Sequence, residues 1–188
     1  KGKNTGLDLA LDSGKQLNPN FSIQMKGTFT YAHNEVLKYD EAAGLRPALS
    51  QVGKSLNSIW GYVADGLYID EADIANNPQS TIGNIAIAPG DVKYVDQPDA
   101  SGNYDGKITS DDRVVLGYPT IPEIIYGFGP SITWKNWDFS FFFQGQARVS
   151  FMMSGFEPFG TQSKNNVLKW ISDDHWSKDN QNPNARYP

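Results

Sequence analysis

Residues 101 to 112, Ser-Gly-Asn-Tyr-Asp-Gly-Lys-Ile-Thr-Ser-Asp-Asp, place oxygen-bearing side chains at the alternating spacing by which a short loop wraps a hard divalent cation. Counted as a twelve-residue calcium loop, Asn103 and Asp105 take places 3 and 5, Gly106 the sharp turn and Ile108 place 8. The backbone carbonyl of Lys107 serves at place 7, and Asp112 closes the loop at place 12. Ser101 stands where the first acid belongs, so Asp99 or Asp96 must reach in to complete the set. Asp112 is shorter than the bidentate Glu usual at the last place, which predicts weak binding. An Asx-rich turn of no metal affinity has the same composition and is the competing reading. Calcium is the one cofactor that the residue types suggest.

Other chemistry finds little material. The chain has no Cys and only His33 and His175, so thiol nucleophiles, thiolate metal sites and the common imidazole triads are excluded or poorly supplied. Asp111, Asp112 and Glu123 could be read as paired carboxylates for glycoside hydrolysis, but nothing in the spacing sets a second acid opposite a first. Trp60, Trp170 and Trp176 could stack on sugar rings or anchor loops, anchoring being the commoner use. Gly127-Phe128-Gly129 lies inside a strand pattern with no helix after it, so it is not a phosphate loop. Lys plus Arg number 16 against 21 Asp plus Glu, for a net charge of -5, and no basic cluster could follow a phosphate backbone. The expectation is a protein that is not an enzyme and has no nucleic-acid partner.

The elements that must position these residues are strands. Phe21, Ile23, Met25, Phe29 and Tyr31 alternate with Ser22, Gln24, Lys26, Thr28 and Thr30. Leu7, Leu9 and Leu11 alternate with Asp8, Ala10 and Asp12 in the same way. Period-two alternation puts each set on its own face of a sheet. Two further runs fall at about 125–134 and 137–148, the first marred by Pro130 and the second by Phe142. With the first two runs at about 5–12 and 21–31, the strands form two hairpin pairs, turning at Asn18 to Asn20 and at Lys135-Asn136. Segments 32–123 and 149–188 are rich in Gly, Pro, Asn and Asp and read as long loops.

Parity sets both short turns at one end of an antiparallel sheet and both long segments at the other. That is the layout of an outer-membrane barrel, with short periplasmic turns and long extracellular loops. Runs of 9 to 11 residues match a tilted bilayer crossing, and Phe21, Trp134 and Trp137 at one level with Tyr31 and Tyr126 at the other form two aromatic girdles. The expected fold class is therefore all-β, antiparallel strands of a transmembrane β-barrel fragment with long extracellular loops, in contact with outer-membrane lipid. The rival is a soluble, calcium-dependent carbohydrate-binding β-sandwich module, in which the alternation comes from packing on a core.

Several stretches also resemble a known family, the SusC/RagA-type TonB-dependent outer-membrane transporters. They are Gly61-Tyr62-Val63-Ala64-Asp65-Gly66-Leu67-Tyr68 before Glu71-Ala72-Asp73-Ile74, and Pro89-Gly90-Asp91-Val92-Lys93-Tyr94-Val95-Asp96 before Asp105-Gly106-Lys107-Ile108. Next come Asp111-Asp112-Arg113-Val114-Val115-Leu116-Gly117, the hairpin Trp134-Lys135-Asn136-Trp137-Asp138-Phe139-Ser140, and Asn182-Pro183-Asn184-Ala185-Arg186-Tyr187-Pro188. The resemblance implies that residues 1–188 are the C-terminal portion of a 22-stranded barrel with a plugged lumen. It also implies the outer membrane of a Gram-negative bacterium, a SusD-like surface lipoprotein, the TonB complex engaged through an N-terminal part outside these residues, and an oligosaccharide or peptide substrate. The family pattern Asp-x-Asn-Gly-Asp-Gly at the calcium-like loop is altered here, where 97–102 resembles an insertion and Ser101 replaces the first acid.

Overall fold

The computed structural model describes residues 1–84, 86–152 and 167–188. Along the chain run β1 (Gly2–Asn18), β2 (Phe21–Val36), β3 (Ile59–Gly61), β4 (Ala64–Leu67), α1 (Glu71–Asn76) and β5 (Gln79–Ser80). They are followed by β6 (Val92–Tyr94), β7 (Lys107–Ile108), β8 (Val114–Leu116), β9 (Ile124–Trp134), β10 (Trp137–Ser140), β11 (Phe143–Ala147) and α2 (Lys169–Ser172). The chain divides into two compact units, the first built from Lys1–Asp40, Gln51–Ile59 and Gly117–Phe151, the second from Glu41–Ser50, Trp60–Leu116 and Met152–Pro188.

The first unit is one antiparallel sheet in the order β1, β2, β9, then β10 and β11 end to end along the far edge of β9. Among the described residues the long strands all lie in this single sheet, not in the two-sheet sandwich of the rival reading. Both short turns sit at the same end. Phe21 pairs with Trp134, Trp134 pairs with Trp137, and the amide of Lys135 donates to the Asn20 carbonyl at 2.7 Å. Asn18 accepts from the Asn20 amide across Pro19 at 2.9 Å, closing the first turn. Lys135 takes φ 53 to make the two-residue connection, a left-handed conformation that such tight hairpins demand.

Register collects the apolar side chains on one face. Leu7, Leu9 and Leu11 stand beside Tyr31, Phe29 and Gly27, which stand beside Ile124, Tyr126 and Phe128. Phe143 and Phe139 continue the face beyond β9. The opposite face carries Asp8, Asp12, Lys26, Thr28, Thr30, Ser131, Thr133, Gln144 and Gln146. There Thr30 Oγ1 donates to Asp8 at 2.9 Å and Lys26 pairs with Asp12 at 3.7 Å. The apolar face is not a core: Leu9 is 53% exposed, Phe128 50% and Trp137 75%.

Strands β1 and β2 extend beyond the alternating runs at 5–12 and 21–31, to 2–18 and 21–36. Their polar ends keep the ladder because backbone pairing is indifferent to side-chain polarity, whereas alternation reports only the surroundings of each face. Pro130 lies in the central strand rather than at an edge. It pairs with Met25 on one side, and the Phe141 amide donates to its carbonyl at 3.3 Å on the other. Lacking an N–H, Pro130 returns no bond to Phe141, and the outer strand is interrupted there into β10 and β11 without a change of register. Phe142, apolar on the polar face, has its ring over Gly127, where a Cβ would meet its Cζ at 2.5 Å. On the other face the Tyr126 ring covers Gly145.

The second unit holds the buried apolar residues Leu67, Tyr68, Ile74, Ile108, Ile171 and Ala185. Its strands are short: β4 pairs with β6 antiparallel and β5 with β7 parallel. Asp70 caps α1 by accepting from the Asp73 amide at 2.8 Å. The last segment is tied in by backbone, the Leu67 amide donating to the Pro183 carbonyl at 3.1 Å. Trp176 lays its ring against Gly90, which has φ 99 and leaves no room for a Cβ, so this tryptophan anchors a loop.

Candidate functional site

A densely bonded polar cluster of the second unit forms where the acidic segment 96–112 folds around Arg46. Thr109 caps the short 3-10 turn Ser110–Asp112, and Asp112 returns to the Thr109 amide at 2.7 Å, a reciprocal capping box. This fixes Asp112 in the interior with no exposed surface. Its Oδ1 accepts from the Gln97 amide at 3.0 Å and from Arg46 Nη1 at 2.8 Å. Its Oδ2 also accepts from the Thr109 hydroxyl at 3.2 Å. Arg46 Nη2 donates to Asp105 Oδ2 at 2.8 Å, and Nη1 donates to the Gln97 carbonyl. Asp96 is 6% exposed; its Oδ2 accepts from the Gly106 amide at 2.8 Å, while its Oδ1 stands 3.9 Å from Arg46 Nη1 without a hydrogen bond.

The electrostatics follow from this geometry. Burial pushes the Asp112 carboxyl up, but donors from Thr109 and Gln97 and the Arg46 charge together hold it below its ordinary value. At Asp96 burial wins over the Gly106 amide and, with Asp105 and Asp112 nearby, holds the carboxyl above it. Burial tends to lower Arg46, and the charges of Asp112 and Asp105 outweigh it.

Of the residues singled out in the sequence, Asp105, Asp112 and Asp96 are brought together. Asp99, Ser101 and Asn103 make a turn of their own, in which Asp99 accepts from the Ser101 amide at 2.8 Å and the Asn103 amide at 2.9 Å. Lys107 enters β7, its amide donating to Asp105 Oδ1 at 2.9 Å. Among the described residues no group of three or more His, Cys, Asp or Glu is disposed to hold a metal ion. The residue missed by sequence reasoning is Arg46. The signal was a deficit: segment 96–112 carries five Asp with only Lys107 for balance and Arg113 just beyond it, so a further cation had to come from elsewhere.

A second cluster lies in the first unit, at the end of the sheet away from the short turns. Glu123, 4% exposed, meets His33 Nδ1 through Oε1 and Arg148 Nε through Oε2 at 2.8 Å, an ion pair whose angles fall short of a hydrogen bond. Arg148 takes φ 51 and sets its guanidinium over the rings of Tyr118 and Tyr31, at 5.4 and 5.9 Å. Glu123 is thus engaged with two basic side chains and Asp112 is enclosed, so neither is a free acid of the kind glycoside hydrolysis needs.

No model of a known protein family matches the chain. A curated relative from Formosa agariphila, TonB-dependent receptor P3, is 23% identical over 99% of the chain and 19% of its own length. TonB-dependent receptor P26 of the same organism is 50% identical over 56 residues, 30% of the chain and 5% of that protein. Among solved structures, the RagAB peptide transporter matches with TM-score 0.66 at 20% identity, covering the whole chain and 20% of the matched chain. The RagAB peptide importer in its open-open state matches with TM-score 0.64 at 17% identity over the same shares. The chain thus spans about a fifth or less of the length of these proteins. The curated relatives bear out the resemblance to TonB-dependent receptors, and the solved structures bear out the fold, antiparallel strands of part of such a barrel. The curated relatives are named as receptors, and the solved structures as a peptide transporter or importer.

Proposed function

We propose that this chain is a stretch of barrel wall and outer loops in a TonB-dependent nutrient importer of the outer membrane of a Gram-negative bacterium. The observation that carries it is the single sheet with one exposed apolar face and one polar face. Phe21 and Tyr31 are ten residues apart on β2, about 34 Å along the strand and about 26 Å at a tilt of about 40°, close to the apolar band of an outer-membrane barrel. Phe21, Trp134 and Trp137 make one row at the lower border of that band, while Tyr31 and Tyr126 mark the upper one. The polar face then lines the lumen. The short turns face the periplasm, and segments 32–123 and 149–188 are extracellular loops.

The substrate is an oligopeptide or oligosaccharide, taken up together with a SusD-like surface lipoprotein and driven by the TonB complex through a plug encoded outside these residues. The matched solved structures are of a peptide transporter, which supports the peptide alternative. The test is twofold. The segment expressed alone is expected to give β structure only in detergent; a monodisperse β-rich monomer in plain buffer overturns the membrane reading. Cells carrying the full-length protein, with and without its neighbouring lipoprotein, are then fed fluorescent peptides or oligosaccharides. Uptake of neither, in cells where the barrel is correctly inserted, overturns the importer reading.

A further inference from the structure

The acidic segment 96–112 has the residue types of a calcium loop, yet its oxygens converge on a cation that the chain itself supplies. Four oxygens face the Arg46 guanidinium: Asp112 Oδ1 and Asp105 Oδ2 at 2.8 Å, the Gln97 carbonyl, and Asp96 Oδ1 at 3.9 Å. These are carboxylates and a backbone carbonyl, the ligand types that a calcium ion takes. Asp96 is the telling member. Its side chain is 5% exposed and Oδ1 has no hydrogen-bond donor, so the charge of Arg46 is what that atom faces. Arg46 is itself only 13% exposed, with its planar fork spread across Asp105 and Asp112.

We infer that Arg46 is the resident cation of this loop, occupying the place of a calcium ion and making the loop independent of metal. A tethered guanidinium requires no entry path and fewer anionic ligands than a divalent ion, which accounts for Ser101 at the place of the first acid and for Asp99 being spent on its own turn. A calcium ion does not fit the loop as it stands, because Asp112 Oδ1 is already shared between the Gln97 amide and Arg46 and its Oδ2 between two donors of Thr109. The inference concerns this loop alone and stands apart from the transport reading.

It has a direct corollary. Removing the guanidinium leaves the Asp96, Asp105 and Asp112 oxygens and the Gln97 carbonyl without the cation they face, and with small shifts and waters completing the shell the loop should then take calcium weakly, at about 0.1 to 1 mM, the range of weak extracellular sites. The experiment uses the full-length protein in detergent, as wild type, Arg46→Ala and Asp105→Asn. Proteolytic nicking within 95–113 and terbium luminescence are followed with EDTA, calcium or magnesium. Wild type is expected to be indifferent to all three. Arg46→Ala is expected to be nicked at least about tenfold faster in EDTA, with protection restored by calcium and not by magnesium, and to give a saturable terbium signal that calcium, and not magnesium, competes away. Calcium-dependent protection of wild type that Asp105→Asn abolishes overturns the inference, and so does an Arg46→Ala loop that stays protected in EDTA. If Arg46→Ala fails to fold, Arg46→Lys decides: it should keep the loop protected in EDTA, and a lysine loop that needs calcium overturns the inference.

Discussion

At the residue scale the two buried carboxylates of the Arg46 cluster should respond to pH with opposite sign. Asp112 lies below the ordinary 3.8 in the folded chain, so its contribution is fully present above that value and is lost as pH falls through the lower folded one. Asp96 lies above 3.8 when folded; the stability it adds is present below that value and declines as pH rises through the raised one. Asp112→Asn should therefore cost about 3 kcal/mol at neutral pH, since it strips a buried arginine of its main partner, and should remove the acid limb of the stability profile. Asp96→Asn should instead flatten the decline on the other side. Denaturant midpoints of the full-length protein from pH 3 to 7 check both, and a common sign for the two variants contradicts the assignment. Asp105 is half exposed, so Asp105→Asn should cost less than about 1 kcal/mol.

The elements add constraints that single contacts do not show. Strand β9 carries Gly127 and Gly129 on the polar face beside the interruption between β10 and β11, and the two glycines differ in what surrounds them. A Cβ at Gly127 meets the tip of the Phe142 ring at 2.5 Å, which a rotation relieves. A Cβ at Gly129 meets the Phe141 carbonyl oxygen at 2.1 Å and the Phe142 Cα at 2.8 Å, which only a backbone shift relieves. Gly129→Ala should cost about 1 to 3 kcal/mol and Gly127→Ala markedly less, read as thermal midpoints of the barrel in detergent. Pro130→Ala supplies the missing donor opposite Phe141. It should slow amide exchange in β10 and β11, unless the interruption is held by the Phe142 packing instead.

Over the whole molecule, the distribution of apolar surface separates the two units. The second unit buries Leu67, Ile74, Ile108 and Ile171, whereas the first exposes Leu7, Leu9, Leu11 and Phe128 across one face of its sheet, and water tolerates such a face poorly. Within the described residues β1 and the β10–β11 line are also open sheet edges, a second reason for association in buffer. Leu9→Arg should accordingly lower recovery of the folded barrel, by about 2 to 4 kcal/mol if Leu9 stands near the bilayer midplane, while Thr28→Arg on the polar face should be tolerated. Heat-modifiable mobility on gels distinguishes the two. Equal loss in both variants contradicts the assignment of faces.

The amino-acid sequence by itself determined the strands, their two faces and the end at which the short turns lie. Each of these is written in local period and turn chemistry, at separations of a few residues. It left the second unit unreadable, because its strands of two to four residues are too short to establish a period. Tertiary structure alone decided what the acidic loop does. Arg46 lies 59 and 66 positions from Asp105 and Asp112, and His33 lies 90 from Glu123, with no pattern in the intervening chain that pairs them. A loop of cation ligands has one composition whether the cation arrives from solution or along the backbone, so only folding could bring Arg46 among its oxygens.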